Sequence, residues 1–172
     1  IEEIPVYAMN DPRVYGRVAY HLTHRLAVER SIIVDFKVVI SVITRADIDH
    51  ELLTQGKLRT ADGTVSLRNL AHQIAIAKAC DAYGIRRVIT FHDRVDSASR
   101  FQSDCERHGL WPRGQAPRCF HVSGAQTSAE RARTLESFRD AEFGLVTNAR
   151  CLTEGIDVPH VDMVAFLSPR RS

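Results

Sequence analysis

Residues 118–147 read "RCFHVSGAQTSAERARTLESFRDAEFGLVT". An apolar run, 118–123, ends at a glycine, Gly124. Three residues on, Thr127 and Glu130 form a Thr-x-x-Glu pair, in which each side chain can satisfy the other's free amide at a helix start. Ala132, Leu135 and Phe138 then recur at helical spacing, and a second apolar run, 143–147, comes at once. Strand, capped helix and strand within so short a span make a crossover unit, which joins parallel strands.

The same alternation extends in both directions. Upstream, Ser66 opens a helix with Leu67, Leu70, Ile74 and Ala77 on one face, ended by Gly84. "RRVITF" (86–91) is a short strand, and Ala98, Phe101 and Cys105 mark a helix stopped by Gly109. Downstream, "VDMVAFL" (161–167) is a further strand. None of these strands alternates cleanly between apolar and polar, so both sheet faces are expected to be covered. The predicted class is α/β, a parallel sheet flanked by helices. Residues 1–60 differ in character. A Pro-containing turn at "MNDPRVYG" precedes a short helix over 23–30 capped by Thr23, and the β-branched run 38–44 predicts a strand. "HELLTQGKLRTADGT" (50–64) reads as a loop or hinge. The expected division is a connector with a first strand over 1–60 and the α/β domain over 61–172.

Composition excludes several classes. The chain has 172 residues, 44% hydrophobic and 26% charged, with a net charge of +2, which suits one globular domain. No apolar run reaches the roughly 20 residues of a membrane span, the longest being 38–43, so no membrane partner is expected. The four cysteines, Cys80, Cys105, Cys119 and Cys151, include no Cys-x-x-Cys pair. Neither a zinc site nor a disulfide framework is expected, and a reducing cytoplasm is the expected compartment. His21 and His24 are better read as helix surface than as metal ligands, with no acid or cysteine close by. The first residue is Ile1, and the chain is read as a fragment of a larger protein.

In open parallel sheets ligands bind beyond the carboxyl ends of the strands. The candidate site is therefore made of the loops that leave the strands: His92, Asp93 and Arg94; Gly124 and a capped helix start; Asn148, Ala149 and Arg150; and "SPRRS" over 168–172. Parallel strands bring all four loops to one rim. Three carry arginine, and the Gly124 loop leads to free helix amides able to hold a phosphate oxygen. That combination suits a polyanion. No phosphate-cradling Gly-x-x-x-x-Gly-Lys-Ser/Thr, no Gly-x-Gly-x-x-Gly and no Gly-x-Ser-x-Gly occurs, so the chain shows no catalytic centre of its own.

"RRVITFHDRVDSASRF" followed by "FHVSGAQTSAERARTLESFRDAEFGLVTNARCLTEGIDVPHVDMVAFLSPRRS" resembles the second RecA-like domain of superfamily-two helicases, over about residues 64–172. "RRVITFHDR" is similar to the family's fourth motif. Gly124, Arg131, Leu135, Phe138 and Arg139 match its "G…eR…l..F" helix, and Gly155, Asp157 and Pro159 its fifth motif. "VYGRVAYHLTHRLAVERSIIVDFKVVI" and "NARCLTEGIDVP…VAFLSPRRS" further resemble DEAD/DEAH-type helicases associated with restriction-modification systems.

The resemblance implies a P-loop NTPase fold without its own phosphate loop. It implies ATP and Mg2+ in the full-length protein, held in a cleft shared with the first RecA-like domain of the same chain. Gly155 would let the backbone approach ATP, and Asp157 would bond a ribose hydroxyl or hold the motif's geometry. His92, Arg94, Gly124, Thr147, Asn148 and Arg150 would contact a nucleic-acid strand, single- or double-stranded and expected to be DNA. Arg131, Phe138 and Pro159 would be structural. Relatives carry Thr-Asp where this chain has Ala149 and Arg150, so Arg150 or Thr147 would replace the hydroxyl contact to phosphate.

The family's sixth motif, with its arginine finger, would begin shortly after Ser172. The fragment is therefore expected to hold no catalytic residue and no metal, and to be inactive alone. The implied function is the second motor domain of an ATP-dependent helicase or translocase. The alternatives are a translocating or binding arm of a restriction enzyme without unwinding and, from another class, an α/β small-molecule transferase domain.

Overall fold

The computed structural model describes residues 11–54, 66–108, 111, 116–149, 152 and 160–168. The chain divides into two compact units, Ile1–Ile40 and Ser41–Ser172. In the first, α1 (Pro12–Tyr15) is a single turn capped by Asp11, and α2 (His24–Glu29) is capped as expected by Thr23, whose hydroxyl accepts from the Leu26 amide. Residues 34–40 belong to no helix or strand, and Val34, Phe36, Val38 and Ile40 are exposed. The strand expected over 38–44 is thus not formed with any described residue. β-branched side chains favour extended backbone, but a strand exists only beside a hydrogen-bonding neighbour.

The second unit opens with α3 (Arg45–Thr54), which takes in the first part of the stretch expected to be a loop. Thr44 and Asp47 close a cap there. The Thr44 amide and hydroxyl donate to Asp47 Oδ2 at 2.9 and 2.6 Å, and the Asp47 amide donates back to Thr44 Oγ1 at 3.2 Å. Ile48 of α3 packs with Leu70 and Ile74 of α4 (Leu67–Tyr83). The expected domain boundary at residue 60 falls outside the described residues; the compact unit begins at Ser41, which groups α3 with α4. Ser66 caps α4, and Gly84 ends it in the left-handed conformation, φ 66°, the residue type that bears this at least cost. Leu67, expected on the buried face, is exposed at the helix start.

β1 (Arg87–Phe91), α5 (Val95–His108), β2 (Arg118–Val122), α6 (Ser128–Arg139), β3 (Gly144–Asn148) and β4 (Met163–Phe166) complete the unit. The strands form one sheet in the order β2-β3-β1-β4, every pair parallel. Helices cover both faces. Ile76, Ala77 and Cys80 of α4 pack with Phe101 and Cys105 of α5 against Val88 and Leu145. On the other face Phe138 of α6 packs against Ile89, Phe120 and Val146. This explains the continuous apolar strands: in β1 and β3 successive side chains are buried on alternate faces. Of the apolar face read for α6, Phe138 is buried, Leu135 half-buried and Ala132 exposed.

Asp162 anchors the sheet's amino edge by accepting from the Arg86 and Arg87 amides at 2.9 and 2.8 Å. Cys80, Cys105 and Cys119 are free thiols. No described helix is long and apolar enough to cross a membrane.

Candidate nucleic-acid interface

Because all four strands run the same way, Val122, Asn148, Phe91 and Phe166 end at one edge of the sheet. The crossover helices run back against the strands, so α5 and α6 start at that edge. The start of α4 lies there too, since the Arg68 guanidinium donates to the Leu167 carbonyl, just past β4, at 3.3 Å. Three helix amino termini with their partial positive charge therefore face one rim.

Arg94 is exposed and immediately precedes α5; its carbonyl accepts from the Ala98 amide at 3.1 Å, which makes it the helix's N-cap. Arginine is a poor choice there. It offers no capping oxygen, and its charge adds to the positive end of the helix dipole. Asp96 in the first turn of α5 and Asp93 beside Arg94 already offset part of that charge.

In the β2 loop, Gly124 is exposed within a turn that Gln126 braces. Its Oε1 accepts from the Ser123 amide at 3.1 Å, and its Nε2 donates to the His121 carbonyl at 3.2 Å. Thr127 and Glu130 close the expected capping box. These bonds hold the Glu130 carboxyl below its ordinary pKa, the Thr127 amide contributing most. Arg131 lies in the first turn of α6, half-buried.

Under the rim lies a buried polar layer. Thr90, His92, Thr147 and Asn148 are each no more than 6% exposed. His92 Nε2 lies 3.0 Å from Thr90 Oγ1, and its ring packs 5.3 Å from that of Phe101. Burial, reinforced by His72 and His121 and opposed by Asp93, pushes His92 down to about 4, so the imidazole is neutral near pH 7. His121, also lowered by burial, sets Nδ1 2.9 Å from Thr147 Oγ1. The Asn148 carboxamide donates to the Thr90 carbonyl at 3.1 Å and accepts from the Leu152 amide at 3.4 Å.

The expected strand contacts thus separate. Arg94 and Gly124 are open at the rim, whereas the side chains of His92, Thr147 and Asn148 are enclosed beneath it and already partnered. Phe138 is core. Arg150, Gly155, Asp157 and Pro159 lie outside the described residues. Arg68 is an exposed rim cation that the reading of loops after strands did not include. Its signal was the capped start of a helix preceding a parallel strand, a position that lies at the carboxyl edge. Among the described residues no group of three or more His, Cys, Asp or Glu is placed to hold a metal ion.

The sequence profile of the helicase conserved C-terminal domain matches residues 67–172, well over half of the chain. The chain belongs to this family. The parallel sheet with helices on both faces has the RecA-like architecture of such domains. Over 51 residues the chain is 35% identical to the DEAD-box ATP-dependent RNA helicase 9 of Oryza sativa subsp. japonica, a stretch that is 30% of this chain and 8% of that protein. The chain therefore spans a small part of this relative. The Pyrococcus furiosus Hef helicase domain shares the fold with a TM-score of 0.51 and 21% identity, over 69% of this chain and 23% of that one. The Sulfolobus solfataricus SWI2/SNF2 ATPase C-terminal domain aligns with a TM-score of 0.46 and 16% identity, over 73% of this chain and 58% of that one.

Proposed function

We propose that this helicase C-terminal domain is the second motor domain of a superfamily-two helicase or translocase acting on DNA, and that the carboxyl edge of its sheet grips the phosphate backbone of one strand. The convergence of exposed Arg68 and Arg94, the Gly124 turn and three helix amino termini on that edge carries the reading. Contacts of this kind position a strand without reading bases, as a motor stepping along any sequence requires. Arg150 joins this set on the strength of the motif alone. Gly155 and Asp157 contribute the ATP side, with the phosphate loop and metal-binding acid supplied by a first RecA-like domain. Bound ATP and Mg2+ supply the phosphoryl group and the charge neutralisation for its hydrolysis. By itself this chain turns over no ATP.

Single-strand binding at graded salt tests the proposal. Each phosphate-bound cation contributes about 0.7 to the slope of log affinity against log salt. Arg94→Gln should lower that slope by about this amount, whereas a variant of an arginine at the opposite, amino edge of the sheet, Arg118→Gln, should leave it unchanged. Equal slopes for wild type and Arg94→Gln would refute the assignment.

The stretch "NARCLTEGIDVP" favours a second reading, a translocating arm of a restriction-modification enzyme that does not unwind. In the intact protein, displacement of a DNA strand supports the first reading. ATP-driven movement without displacement supports the second. Displacement confined to RNA duplexes would rule out DNA as the substrate in both.

A further inference from the structure

The Asn148 side chain is 0% exposed, so it does not itself meet a phosphate. Its environment gives it another task. On one side Nδ2 donates to the Thr90 carbonyl at 3.1 Å, while the Asn148 carbonyl accepts from the His92 amide at 2.9 Å. Asn148 therefore grips β1 at Thr90 and at His92, the latter two residues short of Arg94. On the other side Oδ1 accepts from the Leu152 amide at 3.4 Å, tying in the backbone that leaves β3. Only one orientation of the carboxamide serves a carbonyl and an amide together, so the group is fixed at both ends. An aliphatic residue of this size could satisfy neither.

Resting on the proposed phosphate grip of the rim, we propose that Asn148 is a positioning residue: its carboxamide locks the carboxyl end of β1 to the chain leaving β3, and so sets where Arg94 stands toward the strand. The adjoining bond from Ser168 Oγ to Asp93 Oδ1, 3.3 Å, fixes the same loop from the β4 side. Arg94 thus projects from a segment held on both flanks rather than from a free loop.

The test uses a property that a general loss of stability leaves alone. A neutral-for-neutral substitution changes the salt slope of strand binding only by changing how many cations reach phosphates. Wild type, Arg94→Gln, Asn148→Ser and the double variant are compared on a single-stranded oligothymidylate from roughly 50 to 200 mM salt. Serine keeps a small polar group but is too short to reach the Thr90 carbonyl.

Asn148→Ser is expected to lower the slope by about 0.7, as Arg94→Gln does, and to have no further effect on the slope in the double variant. A wild-type slope in Asn148→Ser beside a lowered one in Arg94→Gln overturns the inference alone, as do slope losses that simply add. An unchanged slope in Arg94→Gln overturns the phosphate grip and the inference with it. An Asn148→Ser chain that no longer folds assigns the side chain to stability and overturns the inference equally.

Discussion

Neutral, buried His92 should make this domain lose stability in mild acid, before most carboxylates titrate. The imidazole is 6% exposed, and burial moves it from an ordinary 6.5 down to about 4. The sign comes from proton binding. Between these two values the unfolded chain takes up a proton that the folded chain refuses, so acid favours unfolding. The stability contributed by keeping His92 neutral is fully present above about pH 6.5 and is lost progressively as pH falls toward about 4. Taking those two values, the change from about pH 7 to about pH 5 is about 2 kcal/mol. For a domain of this size that corresponds to a fall of roughly 6–10 °C in melting temperature. Urea unfolding midpoints across this range measure it. The comparison is with His92→Gln, whose amide can still meet the Thr90 hydroxyl but does not titrate. His72 and His121, also lowered by burial, remain in both proteins, so the difference between the two pH profiles isolates His92. Parallel profiles would refute the reasoning and return His92 to the accessible rim.

Two further substitutions test the packing that holds the rim. At Gly144 an added Cβ would stand 2.8 Å from Phe138 Cδ2 and 3.2 Å from the Phe138 carbonyl, on a ring that is itself fully buried. Gly144→Ala should therefore destabilise by about 1–3 kcal/mol, seen as a lower urea midpoint, while the folded fraction binds a strand with the wild-type salt slope. Thr127→Ala removes the side-chain half of the α6 cap and should cost about 1 kcal/mol by the same measurement. A midpoint unchanged by either substitution would contradict the corresponding contact.

Features that depend on neighbours along the chain were legible in the sequence. Ser66, Thr23 and the Thr127–Glu130 pair name their helix starts because a cap is a bond across three residues, and each is formed. The parallel sheet could be read from short apolar strands separated by capped helices. The cap of α3 was equally local, Thr44 with Asp47, and was missed because the stretch from His50 is polar and holds Gly56 and Gly63, a composition read as a loop. The strand expected over 38–44 failed for the converse reason: its composition was right, but a strand is completed by a partner that composition does not name. Arg68 and Asn148 depended on strand order. Only when β3 lies between β2 and β1, and β4 beyond β1, does Asn148 reach Thr90 and Arg68 reach Leu167. The histidine after β1 looked like a rim residue by position, and the volume enclosed beside Phe101 decided otherwise.

The buried polar layer bears on how such a domain can move. Where the sheet's apolar core ends, Thr90, His92, His121, Thr147 and Asn148 could have been left to water; instead their side chains bond one another or neighbouring backbone across β2, β3 and β1. The loops that reach the rim are linked in turn, by Gln126 beneath Gly124 and by Ser168 at Asp93. Moving the end of β1 or β3 alone would break the buried bonds at Thr90, His92 and Asn148, each at a cost of about 1–3 kcal/mol. The half-buried Gln126 bonds and the exposed Ser168–Asp93 bond add less. Moving the whole sheet with its loops breaks none of them. The observed bonding therefore favours displacement of the carboxyl edge as one body, with its cations in fixed relative positions. That property suits a surface that must release and regrip a strand with regular phosphate spacing.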